Sequence, residues 1–301
     1  MKFQYHFLLL LVTFLLFGLL SCANAKSLKP IDAKEITTLG KNCEELYQSH
    51  IDAWDSRDPE NLRLIYTDDI VHFDGKPLYV GINRVVGMAK GMYEFFPDWQ
   101  MEAGETYISG DECLGTWVNW GVFGFTQANP GLEFDLLETR DGRISFWRAF
   151  YDQNFLEAIP NGTHVEGDFL TRFANSWTAA DLDKLLKIYS QDVHIEDTLF
   201  GISDTGQQAM IAYANDIFAK SPGVSWKLLY PFAEDEGGDI VQEEQPLPSE
   251  GGLFSITVKD QDGNPCEIRV VMILTLDENG VIQKQQIFYQ ADTLLACGWV
   301  K

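Results

Sequence analysis

Residues 66–75 read YTDDIVHFDG and residues 189–198 read YSQDVHIEDT, the same aromatic, acid and strand pattern returning after 123 positions. A repeat at that interval is too long for a solenoid unit and matches the length of a whole domain. The chain of 301 residues has room for two such domains. The likeness extends on both sides of the ten residues. Trp54, Asp58, Leu62 and Tyr66 are answered by Trp177, Asp181, Leu185 and Tyr189. After the strand-like segment each copy has a helical stretch, 83–96 and 207–219, and then reaches a Pro and a Trp, Pro97 with Trp99 and Pro222 with Trp226.

The remainder of each copy alternates strand patterns with turn signals. Ser109-Gly110-Asp111, Asn129-Pro130-Gly131 and Asp141-Gly142 punctuate the first, and Glu236-Gly237-Gly238, Asp262-Gly263-Asn264-Pro265 and Glu278-Asn279-Gly280 the second. Each copy therefore runs helix, helix, short strand, helix, then about four strands. Helices first and antiparallel strands after predict an α+β class. The expected architecture is two cone-shaped domains, each a curved antiparallel sheet wrapped around three N-terminal helices. The boundaries fall at 33–157 and 163–295, with the seam near 153–165, where Asn161-Gly162-Thr163 is also a glycosylation sequon, relevant only in a eukaryote.

Residues 1–25 read as a targeting segment: Lys2 precedes an apolar run from Phe7 to Leu20, too short for a bilayer span of roughly 20 residues. Leu19-Leu20-Ser21-Cys22 resembles a bacterial lipobox, with Cys22 as the acylated residue, and Ala23-Asn24-Ala25 offers an ordinary cleavage site instead. Export follows in both cases, as a membrane-anchored lipoprotein or as a secreted or periplasmic form. Any membrane contact is expected only through the N-terminal lipid. Setting Cys22 aside leaves Cys43 and Cys113 in the first copy and Cys266 and Cys297 in the second, free thiols in one reading and intradomain bridges in the other. A formal charge of −23 excludes nucleic acid as a natural partner. No zinc spacing, nucleotide motif or glycine-rich phosphate loop is present, so no metal and no cofactor is expected.

Alternation along the short strands puts Ile70, His72 and Asp74 on one face of the first and Val193, Ile195 and Asp197 on one face of the second. Asp74 and Asp197 therefore correspond, while His72 and His194 do not. Asp74 could act chemically or cap the turn before Gly75, and His72 could act or hold structure. Trp54, Tyr66, Phe95, Trp117, Trp120, Phe134, Trp147 and Tyr151 could line a pocket or fill a core. Arg148 and Asp152, four apart on one strand face, could orient a substrate or lie at a surface or dimer interface.

These segments resemble the nuclear transport factor 2-like superfamily, which includes SnoaL-like polyketide cyclases and ketosteroid isomerases. The likeness rests on Asp69-Ile70-Val71-His72-Phe73-Asp74, on Asp192-Val193-His194-Ile195-Glu196-Asp197, and on the closing segment 142–151. It implies the cone fold, a general base at Asp74 or Asp197, and a protonated donor at Asp135. Departures accompany it. The isomerases' helix Tyr falls at Ile51 and Ala174, the donor of the second copy falls near Met272 or Ile273, and the Pro after the base is replaced by Gly75 and Thr198.

Two functions follow as expectations. One is an aromatic-lined pocket, with Asp197 its counterpart feature in the second copy, that binds a small hydrophobic molecule. The other is a cofactor-independent isomerase, cyclase or hydratase acting on a carbonyl compound, with Asp74 as base, Asp135 as hydrogen-bond donor and His72 positioning or relaying. The resemblance also admits sheet packing between domains, within one chain or in a homodimer.

Overall fold

The computed structural model describes residues 32–74, 78–158, 167–234, 249–260 and 262–299. The leader, Cys22 and the sequon at Asn161 lie outside them. Among the described residues no helix is long and apolar enough to cross a membrane.

The first half opens with α1 (Ala33–Asp55), capped by the Asp32 carboxylate, which accepts from the Lys34 amide. Ile36, Cys43, Tyr47, His50, Ile51 and Trp54 make its buried stripe, the three-and-four spacing of a helix that covers a sheet. Then come α2 (Leu62–Ile65), β1 (Tyr66–Phe73), β2 (Leu78–Val80), α3 (Ile82–Phe95), and four long strands: β3 (Gln100–Ser109), β4 (Glu112–Trp120), β5 (Gly131–Arg140) and β6 (Arg143–Asp152). A short helix, α4 (Gln153–Ala158), closes this half. The second half repeats the order: α5 (Gly167–Thr178), α6 (Leu182–Leu185), β7 (Tyr189–Asp197), β8 (Ile202–Thr205), α7 (Gln207–Lys220), β9 (Ser225–Ala233), β10 (Ser249–Lys259), β11 (Pro265–Leu276), β12 (Ile282–Tyr289) and the final α8 (Ala291–Ala296).

The α+β class expected from the sequence is the observed one. In the first half the strands lie in the order β2-β1-β6-β5-β4-β3, in the second β8-β7-β12-β11-β10-β9. The short β1 and β7 run parallel to β6 and β12, and the long strands pair antiparallel. Both α3 and α7 start from a glycine with positive φ, Gly81 at 88° and Gly206 at 97°, a conformation that a Cβ would strain.

The two sheets also join. β6 pairs with β9 through Tyr151–Ala233 and Asp152–Phe232, and β12 pairs with β3 through Tyr289–Ile108. The path β9-β10-β11-β12-β3-β4-β5-β6 returns to β9, a closed ring of eight strands. Its interior is a separate apolar core: Phe134, Leu136 and Phe150 of one half against Phe232, Val271, Ile273 and Phe288 of the other. The rings of Phe134 and Phe232 stack 4.3 Å apart. Phe134, expected as a pocket candidate, therefore belongs to this shared barrel, because even-numbered residues of β5 face it and odd-numbered ones face the helices.

Arg148 also points to the barrel side. It pairs with Glu234 and donates to Ser249 Oγ at 3.0 Å, both of the second half, so it orients no substrate inside the first. Disulfides Cys43–Cys113 and Cys266–Cys297 tie α1 to β4 and β11 to the end of α8, with Cα atoms 5.3 and 5.6 Å apart. Each closes within its own half, where the odd cysteine count had left bridges and free thiols open.

Candidate functional site

A cavity of about 240 Å³ opens in the first half between α1, α3, the odd-numbered face of the sheet and the 121–130 loop. Its walls include Trp54, Trp99, Trp117, Trp147, Met88, Met92 and Met101, with Phe123 and Phe155 closing one side. Trp54 sits 5.9 Å from Trp99 and 5.4 Å from Trp147, ring centre to ring centre, and Trp99 sits 6.1 Å from Trp117. Phe123 is held at φ 49° between Gly121 and Gly124, both with positive φ, and this turn brings its ring against Phe155.

Four polar side chains line the same space: His72, Asp74, Glu133 and Tyr151. Asp74 accepts a hydrogen bond from the Tyr151 hydroxyl. Glu133 is buried and accepts from Asn119 Nδ2 at 2.8 Å. Burial pushes its carboxyl well above the usual range, and the charges of Asp135, Asp74 and Asp152 push it the same way. His72 stacks on Trp147 at 3.6 Å, and neither of its ring nitrogens has a partner among the described residues. Burial and the neighbouring His50 hold its basicity well below the ordinary value, so it stands as neutral imidazole. The Tyr151 hydroxyl is shifted upward by burial, Asp74 and Glu133 in turn, and remains a donor.

Asp135 does not join this group. It lies two residues further along β5, behind the Trp147 wall, where Trp147 Nε1 donates to its Oδ1 at 2.7 Å and Tyr47 Oη to its Oδ2 at 3.3 Å. His50 Nε2 stands 3.4 Å from the same Oδ2, an electrostatic contact rather than a well-formed hydrogen bond. Tyr66 Oη accepts from Trp54 Nε1 at 2.9 Å and lies 2.8 Å from His50 Nδ1. Donor and acceptor in the Tyr66–His50 bond follow the imidazole tautomer, and Nε2 faces Asp135. The chain Trp54–Tyr66–His50–Asp135–Trp147 thus locks the cavity's back wall. Asp135 positions a wall and does not donate into the space.

The other expected site residues divide in the same way. Trp54, His72, Asp74, Trp117, Trp147 and Tyr151 meet at the cavity. Tyr66 is one layer behind it, stacked parallel to Trp147 at 6.2 Å. Trp120 sits at the end of β4, paired with Gln100, away from the lining residues. Phe95 is 80% exposed, because the last turn of α3 faces outward there. Tyr47 and Glu133 escaped the sequence reading. The helix does supply a tyrosine, one turn before the Ile51 position, and Gly115 makes its approach feasible: a Cβ there would sit 2.3 Å from the Tyr47 ring. Glu133 was legible only as the neighbour of Asp135 on the same strand face.

Asp197 has the corresponding place in the second half, but a different setting. Its Oδ2 accepts from Tyr213 and Tyr289 at 2.9 Å each, and burial raises its pKa to about 6 against the lowering effect of those two bonds. Tyr289 corresponds to Tyr151, each paired with the aspartate of its own half. Register from these tyrosines is direct: Tyr151 lies opposite Glu133, which lies opposite Trp117, while Tyr289 lies opposite Val270, which lies opposite Phe254. One strand further, Met101 corresponds to Trp226, so the match of Trp226 to Trp99 expected from the sequence is off by two residues. The same register assigns Met272 to the place of Asp135. Among the described residues no cluster of His, Cys, Asp or Glu is arranged to hold a metal ion.

Comparison with known proteins identifies a family. The family model of the SnoaL-like domain matches residues 47–155 and again 170–285. No curated protein matches significantly. Similar solved structures include a candidate polyketide cyclase from Sinorhizobium meliloti, at 18% identity over 35% of this chain and 93% of that one, with a TM-score of 0.31. A candidate isomerase of the SnoaL-like family from Agrobacterium tumefaciens is 16% identical over 37% and 98%, with a TM-score of 0.33. An epoxide hydrolase/cyclase-like enzyme of pyran ring formation in the polyether salinomycin is 16% identical over 41% and 88%, with a TM-score of 0.31. With both halves matched by one family model and built on one strand order, the chain belongs to the SnoaL-like family and carries that domain twice.

Proposed function

We propose that this protein is an exported binding module whose first half encloses a small, largely apolar molecule. The carrying observation is the cavity of about 240 Å³ walled by four tryptophans and three methionines, with its polar groups gathered at Asp74, Glu133, His72 and Tyr151. Such a pocket removes apolar surface from water at roughly 25 cal/mol per Å², while a few polar groups set orientation. Export is supported by the apolar leader with its lipobox and by the two disulfides, which persist in oxidising compartments. Quenching of tryptophan fluorescence by N-phenyl-1-naphthylamine tests the binding. Micromolar quenching that disappears in Met101→Trp is expected, and unchanged quenching in that variant removes the cavity as the site. Palmitate labelling lost in Cys22→Ala tests the anchor.

A second reading is favoured by the two carboxyls in one cavity. In it Asp74, ionised, removes the proton next to a substrate carbonyl while Glu133, protonated, gives its own to the carbonyl oxygen; Asp74 then delivers its proton to a different carbon as the enol O–H returns its proton to Glu133, giving the isomerised product. Glu133 thus replaces Asp135 as the donor. Solvent deuterium incorporation into cyclic ketones, followed by NMR, tests it: exchange should fall at least a hundredfold in Asp74→Asn, and equal exchange in that variant rejects it.

A further inference from the structure

The cavity has an unusual balance of charge. Its walls present the faces and edges of Trp54, Trp99, Trp117 and Trp147, and among the described residues its formally charged lining groups are Asp74 and Glu133. Among the described residues no lysine or arginine lines it. Arg57 and Arg148 are engaged elsewhere: Arg57 donates to the Trp99 and Tyr93 carbonyls behind the wall, and Arg148 pairs with Glu234 and Ser249 across the barrel. His72, 1% exposed and without a partner on either ring nitrogen among the described residues, adds a neutral acceptor to the lining.

We infer that the ligand of this cavity is a small organic cation, an ammonium group carried on an apolar frame. The inference rests on the binding function proposed above and adds the charge of the ligand to it. Two independent features support it. Aromatic faces are electron-rich, and a cation within about 6 Å of one gains roughly 0.5–2 kcal/mol where water is excluded. Carboxyls out of water favour either a proton or a countercharge. A neutral ligand leaves Glu133 with its proton. An ammonium supplies the countercharge, lowers the affinity of Glu133 for its proton and releases that proton to solvent. Anionic ligands meet only like charge. The chain's net charge of −23 raises the local concentration of cations in the same direction.

The test uses the full chain and three probes of similar shape: phenyltrimethylammonium, benzylammonium and the neutral isostere tert-butylbenzene, each titrated by tryptophan fluorescence and calorimetry. At pH 8 both cations should bind at least tenfold tighter than tert-butylbenzene, and calorimetry in buffers of different ionisation enthalpy should show proton release for the cations alone. Tighter binding of benzylammonium than of the quaternary probe assigns an N–H acceptor such as His72. Glu133→Gln should remove the proton release and most of the preference for cations while tert-butylbenzene still binds, which also shows that the variant is folded. Binding of tert-butylbenzene as tightly as the cations overturns the inference and leaves the apolar-ligand function standing. Failure of all three probes overturns both.

Discussion

Where the first half has Met88, Met101 and Glu133 around an open space, the second half has Tyr213, Trp226 and Val270. Met88 and Tyr213 each lie seven residues after the glycine that starts their helix, Gly81 and Gly206, and strand register fixes the other two pairs. Two flexible thioethers are exchanged for two large rings: Trp226 packs 5.2 Å from Trp177, and Tyr213 turns its hydroxyl onto Asp197. The exchange of Glu133 for Val270 removes the second carboxyl. Asp74–Tyr151 and Asp197–Tyr289 survive as the element common to both. One strand order therefore carries two differently lined interiors.

The largest effect should come from the part both halves share. Phe232→Ala removes the ring stacked on Phe134 inside the barrel, and a loss of about 3–5 kcal/mol is expected, with the two halves unfolding together in one calorimetric transition. Two separated transitions would mean that the halves are independent bodies.

Asp197 should respond next, through pH. Its folded pKa of about 6 stands above its ordinary 3.8, so the folded state holds the proton more tightly than the unfolded one. Stability from this group is full below about pH 4, falls between about pH 4 and 6, and is flat above, a change of about 3 kcal/mol. Asp197→Asn should flatten that window in thermal melts. An unchanged pH profile would place the carboxyl in contact with water.

A reciprocal exchange then probes the comparison itself. Trp226→Met should cost about 2–3 kcal/mol by opening a void, while Met101→Trp in the first half should change stability by less than about 1 kcal/mol because its ring enters existing space. Fluorescence titration with N-phenyl-1-naphthylamine should register the second exchange as lost binding. A stability loss of equal size in both variants would show that the first half is as tightly filled as the second.

The duplicated cone was readable because alternation, turn residues and paired aromatics agree over whole segments. The closed barrel left a weaker trace: Val270-Val271-Met272-Ile273-Leu274 is apolar on both faces, as a strand covered on both sides must be. Asp135 was expected at the cavity and lies behind its wall for a physical reason. Glu133 and Asp135 lie on one face of β5 only two residues apart, and a strand pattern states the face but not the depth. What separates them is Trp147, which closes over Asp135 with its indole N–H, together with Tyr47 and His50 from α1. Those contacts depend on how far a helix sits above a sheet, and no local spacing encodes that distance. The register slip at Trp226 has the same origin, since tryptophan matched tryptophan by type while backbone pairing matched it to methionine.

The ring formed by β9-β10-β11-β12-β3-β4-β5-β6 has a consequence for how this molecule meets dilution. Two separate subunits held by the same pairings would be governed by mass action, and scarcity would pull them apart. Here the partner sheet arrives on the same chain, so its effective concentration is a constant of the molecule. Closure also pairs β3 with β12 at Ile108–Tyr289 and β6 with β9 at Tyr151–Ala233 and Asp152–Phe232, edge positions that if free would invite other strands. A duplicated chain can thus be rare in its surroundings and still whole, with one copy stiffening the other while the other keeps its interior open.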